Sequence, residues 1–163
     1  MVTRIGSRLH EEPNIPRPSG PPAGASRRLL IVVGPTAGHV YPALAIADAY
    51  QAVCPGVDVR FAGAPDGPAA RLLGLRGLRL EPVTSSQLAN VGLGARLVAA
   101  ARVVPGMAQA SRLLRAHGSR LVLGLGGYAS GAVLLAARAL GLRVAIHEAN
   151  RVAGIANRLL APF

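Results

Sequence analysis

Short apolar runs alternate along this chain with stretches whose apolar residues recur at helical spacing. Predicted strands, each brief and bounded by turn residues, cover residues 29–33, 57–62, 78–83, 121–124 and 143–147. Predicted helices cover residues 40–53, 69–75, 92–116, 130–140 and 153–160. Strands that alternate with helices form right-handed βαβ units, so the sequence predicts an α/β fold with a Rossmann-like, doubly wound parallel sheet.

Composition supports a buried parallel sheet. Aromatic residues make up only 3% of the chain and Trp is absent, so the core must consist of Leu, Val, Ile and Ala. Such a core is typical of strands that are covered by helices on both faces. Pro105 and Gly106 are expected to kink or break the third helix, because proline removes a helical hydrogen bond.

The ends of the folded part are also predicted from composition. Residues 1–28 mix proline with Ser, Gly and Arg and are predicted to be a disordered tail, or else a misassigned start, so that the domain comprises residues 29–163. Residues 121–142 are long enough to span a bilayer. Their central glycines favour a strand, a turn and a buried helix instead.

The net charge is +11, and all 18 basic residues are Arg. This charge favours anionic partners, either phosphorylated ligands or an anionic membrane surface. No nucleic-acid-binding motif accompanies it, so nucleic acid is not an expected partner. The lone Cys54 excludes a disulfide within the chain and is interpreted as a small buried hydrophobic residue.

A glycine-rich loop at residues 34–39 follows the first predicted strand and opens the first helix. Ligands bind at this edge of open α/β sheets, and the helix start offers N–H groups to a phosphate, with Thr36 as a further donor. The loop is neither a Walker A motif nor the dinucleotide fingerprint, which argues against a nucleotide-cofactor oxidoreductase. A tight turn without a ligand is the alternative.

His39 stands at or near the start of this helix. The helix dipole disfavours the imidazolium form there, so the side chain could serve as a neutral general base. A histidine that only hydrogen-bonds the loop is the alternative.

Two later segments resemble the first in their placement. Residues 124–131 form a second glycine-rich loop after the fourth strand, and residues 147–157 follow the fifth strand with Glu148 and Asn150. Two phosphate-sized loops on one edge suggest a diphosphate, or a phosphate flanked by sugars. Glu148 and Asn150 suit sugar hydroxyls, although they could instead only cap the next helix.

Together these three segments resemble the MurG family of glycosyltransferase family 28. The first loop, with its Pro42-Ala43 pair, is similar to the family's Gly-Gly-Thr-Gly-Gly-His, and the second matches nearly residue for residue. The third resembles the family's His-Glu-Gln-Asn segment, with Gly154 and Asn157 downstream. The resemblance runs from residue 29 to about residue 161 in order and spacing.

The resemblance implies the N-terminal, acceptor-binding half of a GT-B fold that transfers N-acetylglucosamine from UDP-GlcNAc to a lipid-diphosphate acceptor, lipid I. It implies an inverting transfer with no metal and no cofactor, in which His39 is the catalytic base. The substrate-binding residues that it implies are Thr36, Ala37, Gly38, Gly126, Gly127, Tyr128, Ser130, Glu148 and Asn150.

This sequence departs from the family pattern at several positions. Pro35 and Ala37 replace glycines, Ala149 replaces the glutamine, and a family glutamate is missing near Gly67 and Pro68. Ala37 restricts the first loop, Ala149 removes an amide, and the missing glutamate belongs to the family's second helix. These changes put wild-type turnover and strict specificity for lipid I in question.

The resemblance also implies a second half. The chain is expected to end before the last strand of the N-terminal domain and before the donor-binding domain. It would then be a fragment, or the acceptor subunit of a split enzyme with a donor-binding partner subunit. A non-catalytic subunit that binds a lipid diphosphate or a nucleotide sugar is the alternative function.

Membrane contact is predicted as well. Residues 91–115 combine apolar side chains with Arg96, Arg102, Arg112 and Arg115, which suits an interfacial contact with anionic lipid. The resemblance implies a peripheral position on the cytoplasmic face of the membrane. A helix that only covers the sheet is the alternative.

Overall fold

The computed structural model describes residues 28–83, 93–148, 151–152 and 157–158. Its centre is a five-stranded, fully parallel sheet in the order β3-β2-β1-β4-β5. The strands are β1 (Arg28–Val32), β2 (Asp58–Gly63), β3 (Leu80–Pro82), β4 (Leu121–Gly124) and β5 (Arg143–Ile146). The helices are α1 (Ala37–Val53), α2 (Pro68–Leu75), α3 (Leu93–His117) and α4 (Tyr128–Ala139).

The strand order reverses at β1, the central strand. Ile31 of β1 lies opposite Phe61 of β2 on one side and opposite Leu123 of β4 on the other. The chain therefore builds outward from β1 to β3, crosses over through α3, and builds outward again from β4 to β5. The helices that follow β1 and β4 pack on opposite faces of the sheet, and the crevice where open α/β sheets bind ligands lies at the carboxyl ends of these two strands.

The sheet is buried on both faces by aliphatic side chains that alternate along β1. Leu29 and Ile31 pack in one cluster with the apolar residues of α1 and α2. Leu30 and Val32 pack in a second cluster with those of α3 and α4. Because side chains alternate across a strand, a continuous apolar run serves two cores at once.

The predicted element order and type are confirmed for each element that lies wholly within the described residues, with bounds shifted by up to three residues. Only residues 157–158 of the last predicted helix are described, and they are helical. β1 begins at Arg28, the last residue assigned to the tail, while residues 1–27 lie outside the described part. Residues 121–142 separate into β4, a loop and α4, as expected. None of the described helices is long and apolar enough to cross a membrane.

The predicted break at Pro105 is wrong, because α3 is helical without interruption through that residue. Proline in a helix interior costs about 3 kcal/mol. The helix beyond it is held by packing, since Ala110 and Leu114 are buried in the cluster shared with α4. Tertiary packing of this kind commonly outweighs local propensity.

Candidate functional site

The two glycine-rich loops meet at the crevice between β1 and β4. A Cβ atom on Gly127 would lie only 2.8 Å from the Cα atom of Gly34 and 3.4 Å from Cδ of Pro35. Gly127 has a φ of +80° and a ψ of 171°, a combination that is essentially confined to glycine. The two loops therefore form one continuous surface, and they can pack this closely because Gly127 has no side chain.

Both helices that start at this surface have open N-termini. Thr36 is the N-cap of α1 and Gly127 that of α4, and neither makes a side-chain capping hydrogen bond. Neither helix carries an acidic residue in its first turn. The first N–H groups of a helix lack partners within it and carry a partial positive charge. Two such ends side by side suit a diphosphate.

The His39 imidazole folds back over the first loop. Its Nδ1 atom lies 2.7 Å from Oγ1 of Thr36, within hydrogen-bonding distance. A Cβ atom on Gly34 would approach this Nδ1 atom to 2.6 Å, so only glycine leaves room for the ring. Thr36 and Gly34 together fix the orientation of the imidazole.

The opposite side of the ring faces the second and third segments. A Cβ atom on Gly126 would lie 3.5 Å from Nε2 of His39 and 3.6 Å from Nδ2 of Asn157. Asn157 Nδ2 donates hydrogen bonds to Oε2 of Glu148, at 3.0 Å, and to the backbone oxygen of His147, at 3.3 Å. All three segments singled out in the sequence thus converge around one imidazole.

Burial lowers the pKa of His39 below 6.5, and the negative charge of Glu148 opposes that shift in part. The net effect keeps the ring neutral near pH 7, which is the form that can accept a proton. Two further polar atoms of this region, Nδ1 of His147 and Oδ1 of Asn157, are buried without a partner among the described residues.

The remaining predicted site residues occupy different positions. Ala37 and Gly38 form the first turn of α1, and Gly38 is exposed. Ser130 is fully buried, and its hydroxyl donates to the backbone oxygen of Gly126 at 2.7 Å, so it shapes the second loop from behind. The side chain of Tyr128 and all of Asn150 lie outside the described part of the chain.

Two structural contributors were not among the predicted site residues. Gly34 makes room for the His39 ring, and Asn157 joins the two ends of the third segment through its hydrogen bond to Glu148. The sequence did contain the signals, since Gly34 immediately follows the first strand and Asn157 lies nine residues after Glu148. Their roles depend on contacts between segments, which spacing alone does not give.

Potential metal ligands are sparse in the described region. Among the described residues, no group of three or more His, Cys, Asp or Glu side chains is placed to hold a metal ion.

The fold and the paired loops define a Rossmann-like domain of the GT-B glycosyltransferases. The structure of MurG from Acinetobacter baumannii superposes with a TM-score of 0.71 and 32% identity, covering 83% of this chain and 39% of that one. The structure of the glycosyltransferase SnogD from Streptomyces nogalater superposes with a TM-score of 0.57 and 26% identity, covering 84% of this chain and 38% of that one. Residues 29–163 match the glycosyltransferase family 28 N-terminal domain, and the chain belongs to this family.

Curated relatives carry one shared name, UDP-N-acetylglucosamine–N-acetylmuramyl-(pentapeptide) pyrophosphoryl-undecaprenol N-acetylglucosamine transferase. The protein of that name from Acidithiobacillus ferrooxidans is 47% identical over 135 residues, which cover 83% of this chain and 37% of the relative. The one from Yersinia enterocolitica is 38% identical over 139 residues, which cover 85% and 39%. The chain therefore spans less than two fifths of the length of these relatives.

Gly127→Ala should destabilise the protein more than Gly67→Ala. Both glycines are N-caps with positive φ and a ψ near 180°, so the backbone strain added by a Cβ atom is similar. The Gly67 Cβ atom would meet nothing closer than 3.9 Å, whereas that of Gly127 would collide with Gly34. We expect Gly127→Ala to lower the free energy of unfolding, measured in urea, by at least about 1 kcal/mol more than Gly67→Ala does. Equal losses would show that the two loops are not in contact.

The pKa of His39 should lie below 6.5 and fall further in Glu148→Gln. Removing the carboxylate charge eliminates the influence that raises this pKa and leaves the effect of burial. An NMR titration of the imidazole signals, with the His39 signal assigned by its loss in His39→Gln, measures both values. Glu81→Gln is the matched control, because Glu81 lies on the edge strand β3 and pairs there with Arg60 of β2. A His39 pKa that rises in Glu148→Gln would contradict the arrangement.

Proposed function

We propose that this chain is the acceptor-side half of an inverting N-acetylglucosaminyltransferase that uses UDP-GlcNAc and a lipid-diphosphate-linked acceptor, lipid I, to make lipid II. The observation that carries the proposal is the convergence of both glycine loops and the Glu148 segment on the His39 imidazole. The shared name of the relatives supplies the sugar, the nucleotide donor and the polyprenyl diphosphate acceptor.

The paired helix N-termini supply the binding element for the acceptor. The open N-termini of α1 and α4 lie on either side of the contact between Gly34 and Gly127. A diphosphate there can accept hydrogen bonds from the N–H groups of both helices. In this arrangement Gly126 and Gly127 let the ligand approach the backbone, and Ser130 holds the loop through its bond to Gly126.

His39 removes the proton from the attacking hydroxyl. If Nδ1–H donates to Oγ1 of Thr36, the lone pair on Nε2 is free and faces the crevice. The acceptor oxygen then forms a bond to the anomeric carbon of N-acetylglucosamine as the bond from that carbon to UDP breaks. The proton moves to Nε2, and attack opposite to the leaving group inverts the anomeric centre.

The donor side requires further groups. The Thr36 hydroxyl, which accepts from His39 in this tautomer, keeps its own hydrogen for a phosphate oxygen of the donor, and Ala37 and Gly38 lie beside it at the helix start. Glu148, Asn150 and Tyr128 are proposed to contact the sugars. A donor-binding domain, in the same protein or in a partner subunit, would supply the remaining contacts to UDP.

Membrane contact belongs to the same proposal, with the chain peripheral on the cytoplasmic face. Val104 on α3 is 71% exposed, and Arg112 and Arg115 on the same helix are exposed as well. Apolar and cationic side chains that share a helix surface suit an anionic lipid interface. The inner side of the helix, at Ala110 and Leu114, packs on the sheet instead.

Transfer of labelled N-acetylglucosamine from UDP-GlcNAc to a lipid I analogue tests the function. The full chain would be assayed together with a family 28 donor-binding domain, and transfer should require both. His39→Gln should lower kcat by about 10²- to 10⁴-fold, the usual contribution of a general base. The wild-type rate should fall as the pH is lowered, with an apparent pKa below 6.5, because protonation of His39 removes the base.

Gln51→Ala provides the control, since Gln51 is an exposed residue on the same helix and should leave kcat unchanged. If His39→Gln keeps the wild-type rate and pH profile, the assignment of the base fails while the transfer reaction stands. If no transfer occurs with the donor-binding domain present, the proposed function itself fails.

A further inference from the structure

A second cavity lies at the opposite edge of the sheet, and the proposed transfer reaction does not use it. The pocket measures about 480 Å³ and lies near the start of β1, the turn between α3 and β4, and the turn between α4 and β5. The crevice at Gly34 and Gly127 is formed instead at the carboxyl ends of the strands. A volume of this size suits a small organic molecule.

Three arginines surround this pocket: Arg28, Arg115 and Arg120. All three are exposed residues, and none forms an ion pair with a carboxylate among the described side chains. Asp58 is the register partner of Arg28, but its carboxylate lies 3.3 Å from Nε2 of His117 and 3.7 Å from the guanidinium of Arg60. The rim of the pocket therefore carries positive charge with no carboxylate paired to it.

Stabilisation of helix ends explains part of this charge, but not all of it. α3 ends at the pocket, and cations at a helix C-terminus are worth about 0.3–1 kcal/mol. Arg115 lies in the last turn of α3, and Arg28 donates to the backbone oxygen of His117 at 3.0 Å. Arg120 lies three residues beyond the end of α3, in the residues that lead into β4, and so outside the last helical turn where a cation is stabilised in this way.

The rest of the lining is mainly apolar. Leu114 is buried, and Leu140 and Leu142 are partly buried beside it. A pocket with an apolar wall and a guanidinium rim complements a ligand that has one anionic end and one apolar end. Arginine donates two parallel N–H groups to the oxygens of a phosphate, and a dianion balances more than one guanidinium.

We propose that this pocket binds a phosphate monoester that carries a compact apolar group. The phosphate lies between Arg28, Arg115 and Arg120, and the apolar group contacts Leu140 and Leu142. The site is separate from the crevice around His39, and it shares Arg115 with the surface of α3 that is proposed to contact the membrane.

Phenyl phosphate is a suitable probe because it combines both chemical features in a small molecule. Backbone amide NMR signals of the full chain would be followed during titration at constant ionic strength. We expect saturable shifts at Gly118, Ser119 and Arg120, weaker binding of inorganic phosphate, and no binding of phenol. Phenol binding as tightly as phenyl phosphate would overturn the role of the arginines.

Matched variants separate a built site from general attraction to a basic protein. Arg120→Gln should weaken phenyl phosphate binding by at least about fivefold, because one charge-assisted contact is lost. Arg71→Gln removes another exposed arginine, on α2, which packs with α1 in the other core cluster, and should change the affinity by less than about twofold. An equal loss of affinity in both variants would mean that the net charge of the protein, and not this pocket, attracts phenyl phosphate, and it would overturn the proposal.

Arg115→Gln and a vesicle experiment complete the design. Arg115→Gln should also weaken the binding of phenyl phosphate. Urea unfolding of each variant shows whether the fold is retained. Co-sedimentation with vesicles of anionic and of zwitterionic phospholipid identifies the alternative source of phosphate, a lipid headgroup. If Arg120→Gln abolishes vesicle binding while phenyl phosphate does not bind the wild type, the surface is a membrane contact and the small-molecule site is wrong.

Discussion

The contact between the two glycine loops is the constraint on which the site depends. A Cβ atom on Gly34 would collide with the His39 ring, and a Cβ atom on Gly127 would collide with the Cα atom of Gly34. The ring and the two loops can therefore lie this close together only while both positions are glycine. Because the loops leave β1 and β4 at the reversal of strand order, this close approach also sets the shape of the crevice and brings the starts of α1 and α4 together.

Much of the fold could be predicted because it is encoded locally. The apolar run of β1 serves two cores through simple alternation, and the glycine turns mark where each described helix of the crevice begins. The loop at residues 34–39 and the second loop were placed on one edge of the sheet from their order alone. In a parallel sheet, every loop that follows a strand lies at the same edge.

Features that depend on contacts between distant residues could not be predicted in this way. α3 continues through Pro105 because packing on the sheet and on α4 outweighs the lost hydrogen bond. The hydroxyl of Ser130 points back to Gly126, and Asn157 reaches Glu148 across the third segment. The arginine excess was visible in the composition, but its concentration around a pocket far from the crevice emerges only when β1, α3 and β5 are assembled.

We propose His39 as a neutral base, and Thr36 and Gly34 set the orientation of its ring. The hydrogen bond between Thr36 and His39 can form with either tautomer, but only the Nδ1–H form leaves Nε2 able to accept a proton. A long-range ¹H–¹⁵N NMR spectrum of the imidazole at neutral pH distinguishes the two directly. We expect the Nδ1–H tautomer for His39. A ring that is protonated on Nε2, with the Thr36 hydroxyl donating to Nδ1, would contradict the account.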